Sequence, residues 1–296
     1  MQGCDLITTE VPKISIVTPS FNQGRFLEQT ILSVTGGNYP NLEYVVMDGG
    51  STDTSVSILE KYSDRISSWV SEKDEGQYSA INKGFGRTSG EIMAWLNSDD
   101  IYLPWTISLV GEIFSLFPHV DWLTTALPMY IDEKGNAITH NKIHGFTRNG
   151  FLRGDNLQDC GWEGLFIQQE STFWRRTLWD KVGGLDSSFR YAGDFDLWAR
   201  FFEHAKLFVA DVPLGCFRKH DAQKTSTAYD IYREEALESF KKHGGCPPNR
   251  LMQILRNRIR SGLPPEIRHR FVKMGVMRQA PRILYDWGSS RWLITE

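Results

Sequence analysis

Cysteine is scarce in this 296-residue chain. Cys4, Cys160, Cys216 and Cys246 lie far apart and form no C-x-x-C pair. That spacing argues against a zinc site and a disulfide framework and suits a reducing cytosol. No apolar run approaches the ~18 residues that a membrane-spanning helix needs. No basic stretch followed by an apolar one opens the chain, so no secretory signal is expected. Neither a G-x-x-x-x-G-K-[ST] phosphate loop nor a G-x-S-x-G nucleophile elbow is present. Gly84, Gly86 and Gly90 mimic a dinucleotide fingerprint, but the last glycine comes one residue late and the segment leads into a strand. His140 and His144 stand four apart beside a hairpin turn, a poor setting for a metal pair. Positive charge is short over most of the chain. Residues 1–245 carry 23 Lys+Arg against 33 Asp+Glu, so no nucleic-acid partner is expected. Residues 246–296 reverse this, with 10 against 3.

Hydrophobic residues make up 41% of the chain, enough for a sizeable core. After a polar lead-in over 1–12, strand and helix patterns alternate. Strands are expected at 13–19, 43–48, 66–70 and 92–96, and helices around 26–34, 55–62, 78–85 and 104–117. Such alternation implies an α/β fold with a mostly parallel sheet and helices on both faces. The strand ends at Ser20, Asp48, Asp74 and Asp99 would then share one rim, where α/β sheets bind ligands.

The second half is less regular. A strand is expected at 121–126, a hairpin across 129–140, and a mobile Gly-rich loop at 145–164. A strand over 165–174 would carry Gln168, Gln169, Glu170 and Ser171. Helices follow at 175–182 and 194–204, with a short strand at 206–210, after which Gly215–His220 leads into a polar loop. From Ala228 onward the pattern is helical, giving a domain over 13–225 and a basic helical extension over 226–296.

The run Ile92-Met93-Ala94-Trp95-Leu96 ends in Asn97-Ser98-Asp99-Asp100. Two adjacent carboxylates at a strand end repel unless a cation or hydrogen-bond donors compensate. Hard oxygen ligands of this kind suit Mg²⁺ or Mn²⁺, completed by substrate phosphates. The same pair could instead cap the helix that follows Pro104.

Several stretches together carry a family resemblance. They are Ile14 to Asn22, Val45 to Asp53 with its Asp-Gly-Gly-Ser-Thr-Asp turn, Trp95 to Asp100, Gln169 to Arg175, and Gly193 to Trp198. This pattern resembles the inverting glycosyltransferases of family two, of bacterial polysaccharide type, which adopt the GT-A fold. The resemblance implies a nucleotide site at Thr18, Pro19, Ser20, Asn22, Asp48, Gly50, Ser51, Asp74 and Asn82. Asn97, Ser98, Asp100 and Arg218 would meet the donor sugar and diphosphate. Asp99 and His220 would hold Mn²⁺ or Mg²⁺, and Asp194 would be the catalytic base. Gln169, Glu170 and Trp174 would face the acceptor, although Trp174 and Trp198 also suit a core. The sequence departs from the family at two points. Asn97 replaces the first aspartate of the D-x-D motif, and Gly193 replaces the first member of an acidic pair, leaving Asp194 alone.

The implied reaction moves a sugar from a nucleoside diphosphate, UDP by resemblance, to a saccharide or lipid-linked hydroxyl. It belongs to cell-surface polysaccharide or glycolipid assembly. At a helix N-terminus Asp194 is expected to stay ionised, at some cost in basicity. Asp48 and Asp194 could each be helix caps only. A sugar-1-phosphate nucleotidyltransferase would want a Gly-rich loop with Arg and Lys after the first strand, which residues 18–25 do not supply. A non-catalytic nucleotide-sugar binder is the third reading, prompted by Asn97. The expected location is cytoplasmic, with peripheral contact at the inner face of the membrane through the basic tail.

Overall fold

The computed structural model describes residues 11–140, 142–143, 145–157, 166–221, 223, 228–246 and 280–295. The lead-in residues 1–10, His144, loop residues 158–164 and tail residues 247–279 lie outside them.

The first half alternates as its periodicity requires. β1 (Ile14–Ser20), β2 (Leu42–Asp48), β3 (Ser68–Ser71) and β4 (Ile92–Trp95) are joined by α1 (Gly24–Thr35), α2 (Ser55–Lys61) and α3 (Gln77–Phe85). α1 buries Phe26, Leu27, Thr30, Ile31 and Val34, the stripe expected at helical spacing. Next come β5 (Ile101–Tyr102), α4 (Thr106–Leu116), β6 (Trp122–Thr125), β7 (Met129–Ile131), β8 (Ala137–His140) and α5 (Arg148–Leu152). β9 (Phe173–Arg175), α6 (Arg176–Val182), α7 (Gly193–His204), β10 (Phe208–Ala210) and β11 (Gly215–Arg218) follow. α8 (Tyr229–Lys242), β12 (Arg282–Asp286) and β13 (Arg291–Thr295) complete the described elements.

Nine strands form the main sheet in the order β13-β12-β10-β6-β9-β4-β1-β2-β3, and β5-β11-β7-β8 form a smaller one. β1 pairs in parallel with both β2 and β4. β9 runs antiparallel between β4 and β6. Under this sheet lies an aromatic core. Trp95 stacks on Trp198 with centroids 5.8 Å apart, and Trp174 meets Trp95 edge-on at 5.4 Å.

Three expectations are corrected. The expected strand over 165–174 is a strand only at its end. Gln169–Ser171 form a 3₁₀ turn, held by Ser171 N–H to Gln168 O at 3.1 Å and Thr172 N–H to Gln169 O at 3.0 Å. The loop expected at 145–164 contains α5, whose Thr147 side chain accepts from Gly150 N–H. The chain end is not wholly helical. α8 packs on α7, but β12 and β13 extend the main sheet and fully bury Ile283. The pattern from Ala228 onward is expected to be helical throughout. Short apolar runs, Ile283–Tyr285 and Trp292–Ile294, on either side of an Asp286–Ser289 turn pair as a hairpin instead.

Candidate active site

Parallel register builds the site. Ser20 of β1 sits level with Asp48 of β2, and Asp48 with Ser71 of β3. Leu96 N–H bonds Val17 O at 2.9 Å, so Asn97–Asp100 leave β4 beside the end of β1. Over these ends opens a cleft of about 610 Å³. Pro19, Ser20, Asp74, Asn97, Ser98, Asp99, Asp100, Gln169, Glu170 and Asp194 all border it.

The small sheet adds what the main sheet cannot. β11 pairs with β5 and β7, bringing Arg218 and His220 against the turn after β4. His220 Nε2 lies 3.0 Å from Asp99 Oδ2. The buried Asp100 carboxylate accepts from Arg218 N–H at 2.9 Å. Burial, then the charges of Asp99 and Glu170, pushes the Asp100 pKa well above the usual carboxylate range. Asn97 Oδ1 accepts from Gln77 Nε2 at 2.8 Å, so the amide that replaces an aspartate has a partner of its own. Among the described residues no group of three or more His, Cys, Asp or Glu is arranged to hold a metal ion. Asp99 and His220 form a pair of one carboxylate and one imidazole. That donor set suits Mn²⁺ when donor phosphates supply the remaining ligands.

Across the cleft stands Asp194, at the start of α7. Phe195, Leu197, Trp198 and Phe201 bury that helix and hold its first turn. Asp194 Oδ1 accepts from Phe195 N–H at 2.8 Å. Even so, burial, with the Glu235 charge adding to it, raises the Asp194 pKa to about 6. This corrects the expectation of lowered basicity: enclosure outweighs the helix N-terminus. Gly193 is explained by packing, because a Cβ there would lie 2.6 Å from the Tyr78 ring.

Glu170 is buried on the 3₁₀ turn, and burial is the main reason its pKa rises to about 8. At neutral pH it is a protonated acid. Its Oε1, Gln169 Oε1 and Ser20 Oγ find no hydrogen-bond partner among the described residues. All three residues border the cleft, as expected of a wall built for a polar ligand.

Other expected site residues do different work. Thr18 is buried and accepts from the Tyr44 hydroxyl at 3.1 Å. Asp48 lies beneath the rim, receiving Ser51 N–H at 2.9 Å and Ser71 Oγ at 2.7 Å. Asn22, at φ 52°, receives Thr52 N–H at 2.9 Å and gives its own N–H to Ser51 Oγ at 2.7 Å. With Gly50 at φ 79°, these bonds fix the rim loops. Asn82 clamps Leu185 through both backbone groups, at 2.8 and 3.1 Å, away from the cleft. Trp174 is fully buried in the aromatic core and does not border the cleft. Arg218 is fully buried as well. Its guanidinium donates to the backbone oxygens of Asp99 at 2.5 Å and Glu133 at 2.9 Å, and to Gln29 Oε1 at 2.8 Å. It braces the acidic turn from behind. Tyr78, Tyr130, Phe166, Tyr191, Phe217, Tyr229 and Tyr232 also border the cleft and were not anticipated. Aromatics scattered over six segments give no local signal.

Asp196, two residues after Asp194, faces away into a closed network. It accepts from Arg200 Nε at 2.8 Å and Ser239 Oγ at 2.9 Å, and lies 3.3 Å from His243 Nε2. Burial would raise its pKa, but His243, Arg200 and Ser239 outweigh that and hold it at about 2. Its stabilising contribution is therefore full above the ordinary Asp range and fades as pH falls through about 2. Asp196→Asn should cost about 1.5–3 kcal/mol in urea unfolding at neutral pH, the range for hydrogen bonds to charged groups. It should leave the kinetics of the folded fraction close to wild type.

Comparison with known proteins agrees with this architecture. The model of glycosyl transferase family 2 matches residues 15–175. An uncharacterized glycosyltransferase of Rickettsia typhi is 28% identical over 253 residues, covering 78% of this chain and 72% of the relative. One from Mycobacterium tuberculosis is 28% identical over 213 residues, covering 70% and 74%. Among solved structures, Staphylococcus aureus TarS residues 1–349 with UDP-GlcNAc superposes with a TM-score of 0.60 at 17% identity. It covers 78% of this chain and 66% of that one. The Pyrobaculum calidifontis mannosyltransferase PcManGT, with GDP-Man and Mn²⁺, gives 0.57 at 17% identity, covering 81% and 67%. The fold is that of the GT-A glycosyltransferases. The chain belongs to glycosyl transferase family 2.

Proposed function

We propose that this chain transfers a sugar from a nucleoside diphosphate sugar to a hydroxyl acceptor, with inversion at the anomeric carbon. The observation that carries the reading is a single cleft with Asp99 at the end of β4, backed by His220 at 3.0 Å, and Asp194, raised to about 6, on another wall. Asp99 and His220 would hold Mn²⁺ or Mg²⁺, which when bound offsets the charge growing on the diphosphate. Asp194 takes the proton from the acceptor hydroxyl. Protonated Glu170 can donate a hydrogen bond into the acceptor side without adding charge. The nucleotide base and ribose lie over Pro19, Ser20 and Asp74, with UDP favoured by the TarS complex. The test is a panel of UDP-, GDP- and dTDP-sugars with Mn²⁺, read as donor hydrolysis and thermal shift. Hydrolysis of a UDP-sugar supports the reading. Thermal shift without hydrolysis or transfer would leave a nucleotide-sugar binder.

The acceptor is assigned to saccharides or lipid-linked saccharides, and the chain to the cytoplasmic face of a membrane. Supporting this are the 10 Lys+Arg against 3 Asp+Glu in residues 246–296 and Trp287, 87% exposed at a hairpin tip. Among the described residues no helix is long and apolar enough to cross a membrane. Ending the chain at Gly245 would strip β12 from the main sheet, so charge is the better probe. Changing Arg256, Arg258 and Arg260 together to Gln should weaken flotation with anionic vesicles, each charge contributing on the order of 1 kcal/mol. Equal flotation of the variant would count against membrane contact.

A further inference from the structure

Asp194 follows a short loop, and that loop is held by one carboxylate from another helix. Glu235 of α8 accepts three consecutive backbone N–H groups. Arg190 N–H bonds its Oε1 at 3.0 Å, while Tyr191 N–H and Ala192 N–H bond its Oε2 at 2.8 and 2.9 Å. The loop is pinned from the opposite side by the Tyr78 hydroxyl, which donates to Tyr191 O at 2.7 Å. Ala192 O then accepts Asp196 N–H at 3.1 Å and starts α7. Arg190, Tyr191 and Asp194 all border the cleft, so three of its wall residues hang from this one clamp.

We infer that Glu235 is a positioning residue for transfer, fixing the loop from which Asp194 projects and setting the electrostatic surroundings of that carboxylate. The inference rests on the reading of Asp194 as the base. A carboxylate is suited to this job. Its two oxygens accept three donors at once, and bonds to an ionised acceptor are the stronger kind. Displacing a reacting group by about 1 Å can cost on the order of 10²-fold in rate. The Glu235 charge also acts on Asp194, adding to the burial that raises its pKa.

The other titratable groups facing Asp194 are few. Tyr78 on α3 and Tyr232 on α8 are held protonated, because burial puts both well above the usual phenol range. Glu170 on the 3₁₀ turn titrates near 8, and the Arg190 side chain borders the same cleft. Glu235 is thus the one carboxylate of α8 acting on Asp194 among the described residues.

The experiment compares Glu235→Gln, Glu235→Ala and the exposed neighbour Glu234→Gln with wild type. Turnover is read as nucleotide release from the fastest-hydrolysed sugar nucleotide of the panel, across pH 5–9, alongside UDP affinity and thermal unfolding. Glu235→Gln keeps an acceptor oxygen but loses the charge. It is expected to lower kcat about tenfold and to move the acidic limb of kcat to lower pH, with UDP affinity within about twofold. Glu235→Ala, which frees the loop, is expected to lower kcat by up to about 10²-fold. Glu234→Gln should match wild type. A fall in thermal stability with an unmoved acidic limb and wild-type kcat in the folded fraction would overturn the inference. Asp194→Asn separates the two levels. If that variant still turns over, the base assignment fails. If it is dead while Glu235→Gln behaves as wild type, only the Glu235 inference fails.

Discussion

Asp194→Asn should fold, bind nucleotide within a small factor of wild type, and lose transfer by about 10²–10⁴-fold, the usual loss for a positioned base. Asparagine keeps the shape and can still accept from Phe195 N–H, so the start of α7 stays in place. What disappears is the proton acceptor. In the wild-type protein that acceptor works only when ionised, and its pKa stands at about 6. Turnover should therefore decline as pH drops through about 6 and level off above it. Glu170→Gln is the matching control. Glu170 titrates near 8 and is protonated at neutral pH, so an amide imitates its working form. That variant should keep most activity at pH 7. If Glu170→Gln is dead and Asp194→Asn is not, the base is Glu170 and the assignment is reversed.

Asp99→Ala should bring a loss on the order of 10²–10³ in kcat, comparable with removing one group that stabilises developing charge. It should also remove any dependence of donor binding on Mn²⁺. His220→Ala should act in the same direction by about 10–100-fold, since His220 either shares the ion or orients Asp99 from 3.0 Å. Stability should change little in either variant, because the acidic turn is braced by Arg218 through the backbone oxygen of Asp99 and the carboxylate of Asp100. Wild-type activity that survives exhaustive chelation would show that Asp99 serves without a metal.

Local pattern made much of the site readable. The acidic end of β4 stands out because five apolar residues run straight into Asn97-Ser98-Asp99-Asp100. The turn after Asp48 was legible because glycine, serine and aspartate at those positions have few other uses. Even there, sequence named residues and not their duties. Asp48, Ser51 and Asn22 are spent on one another, as the rim loops must satisfy their polar groups before they can meet a ligand.

Sequence by itself determined the α/β class, the strand ends that share a rim, and the isolation of Asp194 after Gly193. The first two are consequences of short-range periodicity, which one segment carries alone, and the third is a plain fact of residue order, although Gly193 itself answers to the Tyr78 ring on α3. Tertiary structure decided the rest. Arg218 and His220 reach the turn after β4 only because β11 pairs with β5, a two-residue strand too short to leave a pattern. Trp174 became core when β9 slid between β4 and β6. Asp194 became a basic carboxylate because α8 and the aromatic core enclose it, and proton affinity depends on what surrounds a group in space, whatever lies beside it in the chain.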